Sequence, residues 1–304
     1  MKNSTPYFLN SVSELHTFLK IKRPTHPLVS VVNFDDIPFK SPNDIKTIVY
    51  NFYTIYLKKN FDGKIKYGQQ YYDFDNGIMT FFAPKQMFSV EAGSSAKVEG
   101  WMLVIHPDFI QNYPLAKRIK EYGFFSYATN EALHLSDKEE NIISELVQNL
   151  QHEIEAMIDN YTQDVVISHI DLLLNYCNRF YNRQFITRKK VSNDLFLKFE
   201  NTLTAYYQSD DFSVLGLPTV QYFAEKLFVS PHYLNDMLKN LTGQTTQQHI
   251  QNQLIEKAKE LLSTTNLSVS EIAYQLGFEY PQSFSKLFKN KTHLTPLAFR
   301  QSFN

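Results

Sequence analysis

A chain of 304 residues with 43% hydrophobic and 15% aromatic content has apolar material for two domains with separate cores, which excludes a disordered polymer. Its net charge of −1 gives no sign of a polyanion partner gripped by charge alone, and one cysteine, Cys177, excludes a disulfide framework and a Cys-rich zinc site. The start, MKNSTPYFLN, has no apolar h-region and no apolar run approaches the ~20 residues of a membrane helix, so no membrane contact and a cytoplasmic location are expected.

The first half alternates as β structure does. Ile45, Thr47, Val49, Tyr53, Ile55 and Leu57 fall on one face at period two, which predicts a strand from Ile45 to Leu57. A turn at Asn60-Phe61-Asp62-Gly63 leads to a strand near Lys64–Tyr72. Asp75-Asn76-Gly77 precedes a strand at Ile78–Ala83, Pro84 breaks into another at Met87–Val90, and Ala92-Gly93-Ser94-Ser95 separates that from Lys97–His106. Short strands joined by turns predict an antiparallel sandwich or small barrel.

Beyond Pro107 the period changes. Asp108–Tyr122 reads as one or two short helices. Ser136-Asp137-Lys138-Glu139 forms a capping box that opens a longer one, with Ile142, Ile143, Leu146, Leu150, Ile154 and Met157 at helical spacing. A second amphipathic run, Val165–Tyr181, completes a helical hairpin that either caps the β domain or pairs with a second subunit. The basic cluster from Arg179 to Lys198 (Arg183, Arg188, Lys189, Lys190) reads as a solvated interdomain linker, with phosphate contact as the alternative.

The last third contains an internal repeat. FAEKLFVSPHYLNDMLKNLTG begins at Phe223 and IAYQLGFEYPQSFSKLFKNKTH at Ile272, aligned at an offset of 49 (272 − 223) before the turn and 50 (288 − 238) after it. An inserted residue in the turn is where two copies of a helix-turn-helix tolerate a length change. In the second copy Ser268-Val269-Ser270-Glu271 caps the first helix, Gly277 ends it in the left-handed conformation, Phe278 plugs the core and Pro281 starts the next. In the first copy Ser230 and Pro231 play the cap and first-turn parts. Between them Thr246–Ser263 reads as one helix of roughly 24 Å, stiff enough to hold two reading helices for major grooves ~34 Å apart.

The stretch SVSEIAYQLGFEYPQSFSKLFKNKTHLTPLAFR resembles the signature of AraC/XylS-type transcription regulators, and QNQLIEKAKELL resembles that family's linker helix. The resemblance covers about the last 100 residues and implies a seven-helix domain that binds double-stranded DNA through two helix-turn-helix motifs. Carried onto this chain, the DNA-facing residues are Pro231, His232, Asn235, Asp236 and Lys239 on the first reading helix. On the second they are Pro281, Gln282, Ser283, Ser285, Lys286 and Lys289. Gln282 and Asn235 suit adenine edges and Lys286 guanine or phosphate, while Lys239 and Lys289 suit phosphate. Two positions depart from the family pattern: Asp236 stands where a basic residue is frequent, and His293 where a glycine is. Near-balance of charge from Thr219 to Arg300 predicts weak non-specific affinity.

The N-terminal half, with GWMLVIHPDFI from Gly100, resembles the family's cupin-like sensing and dimerisation region. The resulting expectation is an α+β chain: a cupin-like antiparallel β domain with a helical hairpin over 1–185, a linker over 186–200, and an all-α DNA-binding domain over 201–304. The resemblance implies a dimeric activator that works with RNA polymerase and answers to a small molecule or partner. Tyr67, Tyr71, Tyr72, Phe81, Phe82 and Trp101 are the candidate ligand-lining residues, set against a filled barrel core. The rival reading is a cupin-type enzyme or alkyl-transfer repair protein fused to a DNA-binding module. No His-x-His pair joins His26 or His106, no glycine-rich phosphate loop is present, and Cys177 lies eight residues from His169, out of helical reach. No enzyme activity, metal or cofactor is therefore expected.

Overall fold

Alternation in the first half produces strands, but arranged in two sheets. The computed structural model describes residues 6–38, 46–59, 61–67, 70–74, 77–90, 99–187, 189–208 and 216–302. The chain folds as two units, Met1–Gln184 and Phe185–Asn304.

In the first unit, in chain order, lie β1 (Tyr7–Leu9), α1 (Val12–Leu19), β2 (Val29–Asn33), β3 (Lys46–Tyr50), β4 (Tyr53–Lys59), β5 (Phe61–Tyr67) and β6 (Gln70–Phe74). There follow β7 (Ile78–Phe82), β8 (Met87–Val90), β9 (Glu99–Ile105), α2 (Pro107–Ile110), α3 (Leu115–Arg118), β10 (Leu133–His134), α4 (Asp137–Glu155) and α5 (Thr162–Thr187). One sheet runs β1-β3-β8-β5-β6 and the other β10-β7-β4-β9-β2. The β1–β3 pair is parallel; the remaining described pairs are antiparallel.

The single strand expected from Ile45 to Leu57 is instead two strands in different sheets, β3 and β4, broken at Asn51 and Phe52. Parity survives the corner, which is why the pattern looked continuous. Ile48, Tyr50, Phe52 and Tyr56 all enter a core shared by both sheets, with Leu9, Val32, Phe82, Met102 and Val104. Tyr50 and Phe52 stack at 4.9 Å. Lys64–Tyr72 likewise divides into β5 and β6, and the expected turn at Phe61–Gly63 is strand, where the register shifts between Phe61 and Ile65. Ile45, Asn60, Asp75, Asn76 and the Ala92–Ser95 turn lie outside the described residues.

Strands β4, β7 and β9 are buried on both faces, so their sequences run apolar rather than alternating. Away from the shared core, Phe81 packs on Phe124 at 4.5 Å and Tyr181 at 5.9 Å. The fully buried Cys177 lies 4.0 Å from the Met79 sulfur, and burial pushes its thiol pKa far up. A neutral, enclosed thiol is unreactive. Native protein at mildly alkaline pH should therefore leave Cys177 unalkylated by iodoacetamide, while denatured protein is modified fully, as read by mass spectrometry; fast native modification would contradict this packing.

At the start of α4 the carboxylate half of the predicted capping box forms, with the Ser136 N–H donating to Glu139 at 2.9 Å. Arg183, read from sequence as part of a solvated basic cluster, instead clamps Glu139 through Nε at 2.9 Å and Nη2 at 2.6 Å and donates to the His134 carbonyl at 3.0 Å.

The second unit holds α6 (Lys189–Gln208), α7 (Val220–Leu227), α8 (Pro231–Thr242), α9 (Thr246–Thr264), α10 (Val269–Gln275), α11 (Pro281–Thr292) and α12 (Pro296–Gln301). Most of the stretch expected as linker is therefore helix. Phe199, Leu203, Tyr206 and Tyr207 bury one face of α6, which supplies the apolar contact that a solvated linker lacks.

Candidate nucleic-acid interface

Local chemistry fixes two helix pairs, α7–α8 and α10–α11. Thr219 caps α7 by accepting from the Tyr222 N–H at 3.1 Å. Ser268 caps α10, accepting from the Glu271 N–H at 3.2 Å while the Ser268 N–H donates to Glu271 at 2.7 Å. Those bonds hold the Glu271 carboxyl below the usual carboxylate range. Each first helix ends on a left-handed residue, Phe228 (φ 57°) or Gly277 (φ 85°). The closing bonds are matched: Val229 N–H to the Ala224 carbonyl at 3.0 Å, and Phe278 N–H to the Ala273 carbonyl at 3.0 Å. The residue inserted in the second copy falls between Gly277 and Pro281, within the turn.

Gly277 serves a second purpose that sequence did not reveal. A Cβ built there would lie 2.8 Å from the Gly216 carbonyl carbon and 2.9 Å from the Leu217 nitrogen. The turn thus presses on a backbone segment that Tyr206 holds through its hydroxyl, which donates to the Gly216 carbonyl at 2.8 Å.

The second helices, α8 and α11, correspond residue for residue at an offset of 50 (282 − 232). Leu234, Met237 and Leu238 bury the inner face of α8, and Phe284 and Phe288 that of α11. His232, Lys239 and Asn240 are exposed on α8, and their counterparts Gln282, Lys289 and Asn290 are exposed on α11. Lys286 and Ser283 are exposed too, whereas Asp236, Pro231, Pro281 and Ser285 are half-buried. The correspondence continues past both helices. Gly243 and His293 are left-handed caps (φ 75° and 63°), donating to the Lys239 and Lys289 carbonyls at 2.9 and 2.8 Å. Thr245 and Thr295 then cap α9 and α12 in the same way.

His293, which departs from the family pattern, thus adopts the glycine conformation and preserves the cap. A side chain in this region costs ~1–2 kcal/mol, offset in part by the greater freedom of an unfolded glycine. His293→Gly should therefore raise stability by up to ~1 kcal/mol in urea titrations, and a loss of stability would show that the His293 ring contributes packing.

Asn235 is half-buried and occupied. Its side-chain carbonyl accepts from the Thr246 N–H at 3.3 Å and its amide faces Asp236 at 3.4 Å, tying α8 to the start of α9. The free cationic face lies mainly on α11: among the described residues Lys239, Lys286 and Lys289 make no ion pair, whereas Lys257 pairs with Glu260 and Lys259 with Glu256. Lys291 donates to Asn252 at 3.1 Å. His249, inside the domain between Thr242 (2.9 Å) and Glu200 (3.7 Å), is held below the ordinary histidine pKa by burial, against the pull of Glu200.

Of the candidate ligand-lining aromatics whose side chains are described, Phe81 and Phe82 border one small cavity and Trp101 another. Phe81 and Phe82 point to opposite faces of β7: Phe81 meets Phe124, and Phe82 meets Tyr56 at 5.7 Å in the shared core. Trp101 lies on β9, beside a cleft lined by neither phenylalanine. Tyr67, Tyr71 and Tyr72 lie on β5 and β6, and their side chains fall outside the described set. His26 packs edge-on to Phe109 at 5.2 Å and accepts from the Leu28 N–H; His106 caps α2 by accepting from the Asp108 N–H at 3.3 Å.

Comparison with known proteins matches residues 223–302 to the family described as "Helix-turn-helix domain". The chain is 39% identical over 79 residues to "Uncharacterized transcriptional regulatory protein YesN" of Bacillus subtilis (25% of this chain, 22% of that protein). It is 36% identical over 78 residues to "HTH-type transcriptional activator RhaS" of Escherichia coli (26% and 28%). Residues 223–302 are an AraC-type helix-turn-helix domain. A solved C-terminal domain of the response regulator yesN from Fusobacterium nucleatum is 34% identical, covering 35% of this chain and 98% of that one, with a TM-score of 0.31. The chain spans under a third of the length of the two curated relatives, and the likeness lies in the AraC-type domain.

Proposed function

We propose that the protein is a sequence-specific, DNA-binding transcription regulator whose helices α8 and α11 are the reading helices of two helix-turn-helix motifs. The observation that carries this is the repeated outer face. His232, Asp236 and Lys239 on α8 stand where Gln282, Lys286 and Lys289 stand on α11, opposite inner faces that are fully apolar. Helix α9, at 19 residues about 28 Å long, joins the two helix-turn-helix motifs stiffly, which suits neighbouring major grooves ~34 Å apart. Asn235, committed to the α9 cap, acts by positioning α8. The printed name of RhaS supports activation, and with it RNA polymerase as a partner.

The two sheets and the α4–α5 pair support a cupin-like sensing and dimerisation domain over 1–185, ahead of a DNA-binding domain over 201–304. Selecting bound fragments from a random duplex pool with the full chain tests the reading. One enriched motif, surviving competition by non-specific duplex, is the expected result; enrichment of no motif would overturn it.

A further inference from the structure

From α7 onward, every helix start of the second unit but one carries a hydroxyl cap. Thr219, Ser230, Thr245, Ser268 and Thr295 each accept a hydrogen bond from an N–H in the first turn of α7, α8, α9, α10 and α12. At α11 the cap position is held by Tyr280, whose side chain makes no bond to the helix. At the offset of 50 (280 − 230), α8 has the half-buried cap Ser230. Loss of a hydroxyl cap weakens a helix start, so α11 forgoes local stability at this place. Tyr280 is instead 64% exposed, and among the described residues its hydroxyl has no hydrogen bond and its ring no stacking partner.

Pro281 restricts the residue before it to extended backbone, and Tyr280 lies there at φ −128° and ψ 119°, so its ring stands on a rigid stem. It is two and three residues ahead of Gln282 and Ser283, both exposed. In helix-turn-helix docking the N-terminal residues of the reading helix meet the base edges. Glu279, exposed and next in the chain, repels a phosphate from the Tyr280 hydroxyl and leaves the ring as the contact.

We propose that Tyr280 is a specificity-determining residue of the second motif, packing its ring on the C5-methyl group of a thymine beside the base pair that Gln282 meets. This rests on the regulator reading and deepens it, from which helix reads to which base one residue selects. The thymine methyl is the apolar group among the hydrogen-bonding edges of the major groove, so an aromatic ring selects thymine without a polar contact. A tyrosine freezes only two side-chain torsions on binding, which keeps the ordering cost low. Ser230 supplies no ring at the same place on α8, so the selectivity belongs to one half of the site.

Full-length protein is titrated by anisotropy against its selected duplex, with each thymine replaced in turn by deoxyuridine, which removes the methyl and keeps the pairing. One position beside the Gln282-dependent base pair should lose about fourfold in affinity, the equivalent of one apolar carbon taken out of contact. Tyr280→Ser should bind the thymine and uracil duplexes equally, with helix content unchanged and the urea midpoint raised, because serine restores the cap. Tyr280→Phe keeps the ring and should keep the discrimination. No methyl-sensitive thymine beside that pair, sensitivity that survives Tyr280→Ser, or its loss in Tyr280→Phe overturns the proposal. If one motif is still selected in those cases and Gln282→Ala weakens it, the regulator reading stands. Failure to select any motif overturns both.

Discussion

Gly277→Ala should destabilise the C-terminal unit by ~3 kcal/mol or more, whereas Gly243→Ala should cost only ~1 kcal/mol. Both glycines have positive φ, 85° and 75°, so both substitutions incur the left-handed penalty of an L side chain, about 1–2 kcal/mol. The surroundings separate them. A Cβ at Gly243 meets nothing within 4 Å, while one at Gly277 would sit 2.8–3.0 Å from backbone atoms of Gly216 and Leu217. Backbone cannot rotate aside as a side-chain tip can, and the Gly216 carbonyl is fixed by the Tyr206 hydroxyl. Relief requires moving either that segment or the turn, and the turn sets the angle between α10 and α11. Far-UV circular dichroism during urea unfolding follows the helices of both units, while Trp101 fluorescence follows the first unit alone, so the part of the dichroism change not matched by fluorescence reports on the second. Equal losses for the two variants would refute the close approach. A Trp101 transition that shifts with Gly277→Ala would mean the damage is not confined to one unit.

That contrast also marks how far the sequence could be read. The caps at Ser268, Ser230 and Pro281, the glycine turn and the inner faces of α8 and α11 are set by neighbours within one or two helical turns, so local patterning sufficed. The contact of Gly277 with Gly216 joins segments far apart in the chain, and nothing near either glycine encodes it. Helix α6 went unseen for a different reason. Its apolar positions Phe199, Leu203, Tyr206 and Tyr207 do recur at helical spacing, but the basic run before them drew the reading toward a linker. In the β unit, β3 and β4 were fused because the corner at Asn51 and Phe52 preserved side-chain parity. Trp101 was singled out, but Asp35, Lys59, Glu99 and Ser144 come together only through strand register and the placement of α4.

Under the proposed function, helices α8 and α11 should contribute unequally to DNA binding, and substitutions on each test this. Lys286→Ala or Gln282→Ala should weaken binding to the selected site by ~1–3 kcal/mol for each lost base contact, roughly five- to 150-fold. Lys289→Ala should act alike on all sequences and lower the salt slope by about one. At the equivalent place on α8, Asp236 puts a carboxylate where α11 has Lys286, and a carboxylate near phosphate is repelled. Asp236→Lys should therefore tighten binding and steepen the salt dependence, provided α8 enters a groove as α11 does. Asp236 lies beside the Asn235 amide at 3.4 Å, so the melting temperature of each variant must be followed to separate a loosened α8 from a changed contact. Anisotropy titrations over a range of salt distinguish the cases. If Lys286→Ala and Gln282→Ala leave affinity unchanged, α11 is not a reading helix. If only Asp236→Lys is silent, α11 binds alone and α8 serves as its scaffold.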